Sequence, residues 1–221
     1  MRIFGVIGSS GSGKTQLIER LVVEFNKRGR RVAVLKHCPR GFDLDREGKD
    51  SHRFLEQGAS GVGLAGPGRT AFVRQTGSPE SLVRLAEEQF YDADIVLIEG
   101  GSGSPGCPKL LVLAAGEALE QDSGLEEVAA VVAGEKQPRG RRVFAPEEVG
   151  AMADFIEKHD TDPEAAVTVE VDGLPVPLNP FVQRVFGQVV IGLATSLKNV
   201  AANPHHIVLT VARSNHVDEK C

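Results

Sequence analysis

Cysteine and long apolar runs are both scarce in this chain. Three cysteines stand among 221 residues, Cys38, Cys107 and Cys221. So small, odd and widely spaced a set favours a reducing compartment over a disulfide framework. No apolar run approaches the ~20 residues that a membrane-spanning helix needs, and the first predicted strand begins at once, with no signal peptide ahead of it. We therefore expect a cytoplasmic protein with no membrane partner.

Positive charge is also limited. The chain has 25 lysines and arginines against 30 aspartates and glutamates, a net charge of -5. A general nucleic-acid binder needs a basic face to neutralise phosphates, so we expect no nucleic-acid partner. Paired metal-ligand motifs are missing too, and His37-Cys38 and His205-His206 are interpreted as incidental. The 41% of hydrophobic residues is enough to bury a core of ordinary size.

A glycine-rich stretch near the start is the most informative part of the sequence. It fits the P-loop pattern of glycine, four residues, then Gly-Lys-Thr. The apolar run 3–7 before it predicts a buried strand, and apolar residues at helical spacing after it predict a helix. In such a unit the backbone N–H groups point at one place, at the positive end of a helix dipole. We therefore predict a nucleoside triphosphate site formed by Gly8, Ser9, Ser10, Gly11, Ser12, Gly13, Lys14, Thr15 and Gln16.

Two side chains of this stretch have predicted roles, and a distant carboxylate joins them. Lys14 is expected to reach the β- and γ-phosphates, and the Thr15 hydroxyl to ligate Mg²⁺. Residues 94–98 form an apolar strand that ends in Glu99, where P-loop proteins place an acid for Mg²⁺ or its water shell. The predicted catalytic residues are Lys14, Glu99 and Asp45, which lies in the loop described next.

An acidic loop follows the second predicted strand, which ends at Lys36. Loops at the carboxyl ends of strands line the ligand crevice of an open α/β sheet, so this loop lies near the phosphates if the first two strands are neighbours. It carries Asp45, Lys49 and Asp50. We predict that Lys49 and Asp50 contact the nucleotide and that Mg²⁺ is bound by Thr15 with Asp45, Asp50 or Glu99.

Alternating strands and helices indicate the fold class. They predict an α/β P-loop NTPase with a doubly wound, mainly parallel sheet over residues 1–158. The smaller elements predicted within it are short strands at 62–65 and 70–75, a helix capped by Asp50 or Ser51, a helix that begins at Pro79 and a last helix at 146–158.

Residues 159–165 are polar and predicted to be a linker. Residues 166–213 predict a small α+β module: a hairpin at 172–173, a helix capped by Asn179, and a strand at 207–211. The helix has a wide apolar face, which we expect to pack within the module. Residues 214–221 are a polar tail.

The sequence resembles the MobB family of molybdopterin-guanine dinucleotide biosynthesis proteins, over residues 1–115 and more weakly to about 158. Its most specific element is Asp-x-Asp-x-x-Gly-Lys-Asp-Ser at 43–51, a fixed distance after Lys36-His37. The P-loop, Gly58-Ala59, the strand ending in Glu99-Gly100, and Pro108-Lys109-Leu110 add to it. The chain departs from the family pattern at Cys38-Pro39-Arg40 and at Gly101-Ser102.

The resemblance implies a GTP-binding, weakly hydrolysing adapter that assists the guanylyltransferase attaching GMP to molybdopterin. Its cofactors would be GTP and Mg²⁺, and its partners the molybdopterin guanylyltransferase and molybdopterin; self-association into a homodimer stays open. The residues themselves do not identify the base, because 133–136 carry no Asn-Lys-x-Asp motif. Two alternatives remain: a small-molecule P-loop kinase with Arg139, Arg141 and Arg142 as a lid, and a nucleotide-gated scaffold.

Overall fold

The computed structural model describes residues 1–42, 49–74, 81–117, 127–134, 141–159, 167, 169–171, 174–200, 204 and 207–211. The chain divides into two compact units, Met1–His159 and Asp160–Cys221. No helix in these described ranges is both long and apolar enough to cross a membrane.

The first unit alternates strands and helices along the chain. Its elements are β1 (Arg2–Ile7), α1 (Lys14–Lys27), β2 (Val32–Lys36), α2 (Asp50–Glu56), β3 (Gly61–Gly66), β4 (Arg69–Arg74), α3 (Leu82–Gln89), β5 (Ile95–Glu99), β6 (Lys109–Val112), β7 (Val128–Val132), β8 (Arg142–Phe144) and α4 (Val149–Lys158). Six of the strands form one sheet in the order β2-β5-β1-β6-β7-β8. Every pairing in that sheet is parallel.

Helices cover both faces of this sheet. Phe4 and Val6 of β1 belong to a buried cluster with side chains of α1 and α4, whereas Ile3 belongs to a second cluster with Ala86 of α3. Successive strand residues point to opposite faces, and β1 is apolar from Ile3 to Ile7 because both of its faces are covered. The doubly wound α/β sheet predicted from the sequence is confirmed.

The strand order differs from the one on which the position of the acidic loop was predicted, in which β1 and β2 are neighbours. β1 and β2 are not neighbours, since β5 lies between them and pairs with both. Local patterns do not determine strand order, because it depends on which crossover each connection makes. The position of the acidic loop was predicted on that condition, and its residues 43–48 lie outside the described ranges. Because β5 adjoins β1, Glu99 at the end of β5 lies beside the loop that follows β1.

The two short strands predicted after α2 are confirmed, but they stand apart from the main sheet. β3 and β4 pair antiparallel with each other as a separate two-stranded sheet. Their turn passes through Gly68, whose φ of 74° suits glycine. An antiparallel hairpin needs only a short turn, so these strands do not contribute to the parallel order.

Helix starts differ from the predictions by a few residues. α2 was expected to be capped by Asp50 or Ser51, but its N-cap is Lys49 and no side chain caps it among the residues described here. α3 begins at Leu82, after Ser81 accepts a hydrogen bond from the Arg84 N–H at 3.4 Å; Pro79, the predicted start, lies outside the described residues. α4 begins at Val149 rather than Pro146, because a turn precedes it in which Glu148 accepts from the Ala145 N–H.

The second unit contains β9 (Val169–Val171), β10 (Leu174–Val176) and α5 (Pro180–Thr195). The hairpin and the Asn179 cap are confirmed, the latter by a 3.0 Å hydrogen bond from the Val182 N–H to Oδ1. The strand predicted at 207–211 is wrong: these residues form none. A short apolar run does not determine by itself that a strand forms, and the three-residue strands of the hairpin offer few backbone groups for a further strand to pair with.

The apolar face of α5 is not packed within the module as expected. One row of apolar side chains at spacing four is exposed, four of them on α5 and the last just beyond its end: Phe181, Val185, Val189, Leu193 and Leu197. The hairpin has only three residues in each strand. Two such strands span about 10 Å, against about 24 Å for a helix of 16 residues, so they are too short to cover it.

Candidate functional site

The predicted P-loop joins β1 to α1, and its glycines adopt conformations that other residues avoid. Gly8, Gly11 and Gly13 have φ of 145°, 79° and 94°, a region of backbone conformation that favours glycine. Gly8 also has no space for a side chain, because a Cβ there would lie 2.2 Å from the Val112 carbonyl oxygen of β6. At this position the close approach is to the neighbouring strand rather than to a ligand.

The first turn of α1 is open to a ligand. Its N-cap is Gly13, in the left-handed conformation, and within the described residues no side chain caps the helix and no acid occupies its first turn. The first N–H groups of a helix have no partner inside the helix. Together with the helix dipole, they form a site suited to a phosphate group.

Lys14 lies folded over the loop that precedes it. Its Nζ donates hydrogen bonds to the carbonyl oxygens of Gly8, at 3.0 Å, and Ser9, at 2.5 Å. Lys14 is the residue predicted to reach the β- and γ-phosphates. Its ammonium group is thus held at the phosphate loop by two neutral acceptors, which a charged phosphate oxygen can replace.

Thr15 and Glu99 are in direct contact, as their predicted roles require. The Thr15 hydroxyl donates a hydrogen bond of 2.8 Å to Glu99 Oε1, and Lys36 Nζ lies 3.5 Å from the same oxygen. Strand register explains the contact, since Glu99 is level with Val6 of β1 and with Lys36 of β2. The end of β5 therefore lies beside the loop that leaves β1.

This pair suits a hard divalent cation. A hydroxyl and a carboxylate supply oxygen ligands, and Mg²⁺ is usually bound by one or two protein groups together with waters and phosphates. The described part of the chain contains no group of three or more His, Cys, Asp or Glu side chains that could enclose a metal by itself. Thr15 and Glu99 therefore fit Mg²⁺ that arrives with a nucleotide better than a permanent metal centre.

The contacts of the remaining predicted residues do not test their predicted roles. Asp50 pairs with Arg53 of its own helix at 3.7 Å, and both side chains are largely exposed. Lys49 is the N-cap of the same helix. Gln16 is exposed in the first turn of α1, and Asp45 lies outside the described residues. Their predicted roles at the nucleotide stay predictions.

An open cleft adjoins Glu99 on the side away from β1. Its volume is about 340 Å³, and it is lined by His37, Pro39, Gly100, Gly101, Ser102, Gly103 and Ser104. Gly100 and Gly101 both have positive φ, and Gly101-Ser102 is where the sequence departs from the family pattern.

Sequence reasoning missed Glu117. The Ser9 hydroxyl donates a hydrogen bond of 3.0 Å to Glu117 Oε2, which also accepts from the Ala114 N–H at 2.7 Å. Glu117 lies five residues beyond the end of β6, so it does not end a strand as Glu99 does. Its position becomes meaningful only once β6 is known to pair with β1.

The arginines proposed as a kinase lid are engaged elsewhere. Arg141 donates to the Val128 carbonyl of β7, and the Arg142 guanidinium lies over the rings of Phe144 and Phe155, at 5.0 and 5.8 Å from their centroids. β6 and β7 separate β8 from β1. Arg139 lies outside the described residues, so the structure lends the lid no support.

Comparison with known sequences identifies the family. Residues 3–134 match the family described as "MobB: Molybdopterin guanine dinucleotide synthesis protein B". The molybdopterin-guanine dinucleotide biosynthesis adapter protein of Haemophilus influenzae is 43% identical over 113 residues, which are 50% of this chain and 62% of that protein. The probable adapter protein of Bacillus subtilis is 35% identical over 121 residues, 53% of this chain and 68% of that one. The chain thus spans less than two thirds of the Haemophilus relative.

Solved structures give the same result for the fold. A crystal structure of molybdopterin-guanine biosynthesis protein B is 31% identical, with a TM-score of 0.54, and the match covers 70% of this chain and 97% of that one. The crystal structure of Bacillus subtilis MobB is 28% identical, with a TM-score of 0.56, over 71% and 96% of the two chains. The family match extends over more than half of the 221 residues, and this chain belongs to the MobB family.

Proposed function

We propose that this protein is a GTP-binding adapter with weak GTPase activity, which assists the attachment of GMP to molybdopterin in molybdenum cofactor biosynthesis. The observation that carries the proposal is the contact of Thr15 with Glu99, 2.8 Å apart beside the P-loop. The relatives' names, which include "molybdopterin-guanine dinucleotide biosynthesis adapter protein", support the pathway and the adapter role. A cytoplasmic location is part of the proposal.

Phosphate binding follows from the backbone of the loop and from Lys14. The loop N–H groups and the uncapped first turn of α1 receive the phosphate oxygens. Lys14 exchanges the carbonyls of Gly8 and Ser9 for the β- and γ-phosphates, and the new hydrogen bonds are stronger because both partners are charged. The exchange needs little more than a rotation of the Lys14 side chain, since its Nζ already lies at the loop.

Thr15 and Glu99 would hold Mg²⁺ together with the nucleotide. When bound, Mg²⁺ neutralises charge on the β- and γ-phosphates. The Thr15 hydroxyl, at the start of α1, lies beside the Glu99 carboxylate, at the end of β5. Lys36, near the same Glu99 oxygen, balances its negative charge in the free protein. Asp45 and Asp50 remain further candidates for this role.

Slow turnover is expected of the isolated protein. Fast hydrolysis needs a positioned water and added positive charge in the transition state, and an arginine supplied by a partner contributes about 10³–10⁵ in rate. Arg141 and Arg142 are engaged in other contacts. We therefore propose that the molybdopterin guanylyltransferase, carrying its pterin, stimulates hydrolysis.

Self-association is also part of the proposal. The β3–β4 hairpin forms its own small sheet, and two of its apolar side chains, Leu64 and Phe72, are 50% and 77% exposed. The register places Leu64 and Phe72 on opposite faces of the hairpin, and a second copy of the chain that covered either face would bury apolar surface, which favours association. Sedimentation of the full-length protein tests this: a monomer at all concentrations contradicts the homodimer.

The nucleotide site is tested by Lys14→Ala. We expect the affinity for GTP, measured by calorimetry with Mg²⁺, to fall at least tenfold, because charge-assisted hydrogen bonds of about 1.5–3 kcal/mol each are removed. Lys27→Ala is the matched control, since Lys27 is exposed in the last turn of the same helix. Unchanged affinity in Lys14→Ala sinks the P-loop assignment. The same titration with ATP measures the base preference.

The adapter role is tested by single-turnover GTP hydrolysis with and without the guanylyltransferase and its pterin. We expect slow hydrolysis by the protein alone and a marked acceleration in the presence of the enzyme. No acceleration contradicts the adapter role. Fast phosphoryl transfer by the isolated protein to a small acceptor supports the kinase alternative instead.

A further inference from the structure

Glu117 ties the turn after β6 to the P-loop. Its Oε2 accepts one hydrogen bond from the Ser9 hydroxyl, at 3.0 Å, and one from the Ala114 N–H, at 2.7 Å. The turn is closed by the Glu117 N–H, which donates to the Ala114 carbonyl at 3.0 Å. The carboxylate is therefore held by its own turn and presented to Ser9.

The sheet explains why these two residues meet. β6 pairs in parallel with β1, with Leu111 level with Ile7, so the segments that follow the two strands leave the sheet side by side. One of these segments is the P-loop, and the other carries Glu117. Glu117, five residues beyond the end of β6, therefore lies next to the P-loop.

A carboxylate at this position has electrostatic consequences. The P-loop, the first turn of α1 and Lys14 together attract anions. In the free protein, oxygens of the chain accept hydrogen bonds from these groups: the carbonyls of Gly8 and Ser9 accept from Lys14, and Glu117 accepts from the Ser9 hydroxyl. A triphosphate brings several negative charges to the same place, where a neighbouring carboxylate opposes it.

We propose that Glu117 sets the nucleotide affinity of the P-loop: its carboxylate holds Ser9 in the free protein and opposes the bound phosphates by like charge. The inference rests on the proposed function, namely that the P-loop binds a nucleoside triphosphate. Because repulsion grows with the charge of the ligand, Glu117 weakens triphosphate binding more than diphosphate binding. It thereby reduces the preference for GTP over GDP, which the other residues of the site create.

Glu148 provides a matched control within the chain. Its Oε2 accepts from the Ala145 N–H at 2.8 Å, which is the same local contact that Glu117 makes with Ala114. Glu148 lies at the start of α4 and is no part of the P-loop site. If Glu117 served only to stabilise its turn, Glu117→Gln and Glu148→Gln would have equal effects on nucleotide binding.

The test compares wild type, Glu117→Gln and Glu148→Gln as full-length proteins. Glutamine keeps an acceptor for Ser9 and Ala114 while removing the charge. We expect Glu117→Gln to bind Mg-GTP about two- to fivefold more tightly at low salt, the range measured for exposed charge pairs, with a smaller gain for Mg-GDP. The gain should shrink at 0.5 M salt because salt screens exposed charges. Glu148→Gln should bind both nucleotides as wild type does.

The outcomes separate this inference from the function on which it rests. If wild type binds GTP and Glu117→Gln binds it equally or more weakly, the inference is overturned and the proposed function stands. Equal gains for GTP and GDP, or a gain that salt leaves unchanged, also overturn it. If wild type binds no nucleoside triphosphate, the proposed function fails and takes the inference with it.

Discussion

Replacing Gly8 by alanine gives the sharpest test of how the P-loop is built. Gly8 directly follows β1 with a φ of 145°, and a Cβ there would lie 2.2 Å from the Val112 carbonyl oxygen and 2.9 Å from Ser12 Oγ. The serine side chain can rotate away. The Val112 carbonyl cannot move freely, because it belongs to β6, which is paired on both sides.

The magnitude follows from two separable costs. A residue with a side chain at such a φ costs about 1–3 kcal/mol, and forcing a carbon against fixed backbone adds about 1–3 kcal/mol. Gly11→Ala carries only the first cost, because Gly11 has a φ of 79° but a Cβ there would meet nothing within 4 Å. We therefore expect Gly8→Ala to lose about 2 kcal/mol more of the free energy of unfolding than Gly11→Ala does.

Urea denaturation of the two full-length variants measures this difference. Its size is a substantial part of the 5–15 kcal/mol that stabilises a typical domain. GTP affinity should also fall in Gly8→Ala, because relief of the contact displaces the loop from β6. Equal losses of stability in the two variants would refute the reasoning, since they would mean that β1 and β6 do not hold Gly8 against Val112.

Two other perturbations test the first unit. Glu127→Gln should cost about 2–4 kcal/mol of unfolding free energy, because it leaves the buried Lys109 without a charged partner. The Lys109 ammonium and then the Gly106 N–H lower the pKa of Glu127. Its contribution is therefore complete above the ordinary glutamate pKa and is lost as pH falls through the lowered one; an equal cost at pH 7 and in acid contradicts this. Deletion of 166–221 should leave GTP affinity unchanged in calorimetry, since residues 3–156 supply every buried cluster described; aggregation or lost affinity contradicts it.

The phosphate loop was predictable from sequence because its determinants are local. A buried strand, glycines at fixed spacing and a following helix are all contiguous, and Lys14 and Thr15 hold fixed places within them. Glu99 was predictable for a related reason, since it directly ends an apolar strand. The structure brings Thr15 and Glu99 together because β5 pairs with β1.

Features that depend on strand order were not predictable. The acidic loop is expected near the phosphates only if β1 and β2 adjoin, and β5 lies between them. Glu117 was missed because its significance depends on the pairing of β6 with β1, and nothing near Glu117 in sequence refers to the P-loop. Helix starts shifted for a smaller reason: side chains such as Ser81 can cap or close a turn at several neighbouring positions.

The second unit shows a different limit of sequence patterns. Periodicity correctly predicted α5 and its apolar rows, and the Asn179 cap fixed its start. A periodic apolar face implies a partner surface without saying where that surface is. The β9–β10 hairpin is too short to provide it, and the five side chains from Phe181 to Leu197 are exposed. The error arose from assuming that the module covers its own helix.

The polar contacts of the free P-loop indicate which of its residues would contribute to nucleotide affinity and which to the stability of the fold. Ser9, Lys14 and Thr15 each donate to an oxygen of the chain, so a nucleotide exchanges existing hydrogen bonds rather than adding bonds to unpaired groups. Replacing one hydrogen bond between neutral groups by another adds little to the free energy of binding, since each is worth about 1 kcal/mol net. The gain lies where a neutral acceptor is replaced by a charged one, and of the three residues only Lys14 leaves carbonyls for phosphate. We therefore expect Lys14 to contribute more to the affinity for the proposed nucleotide than to stability, and Gly8, packed against β6, to contribute to both.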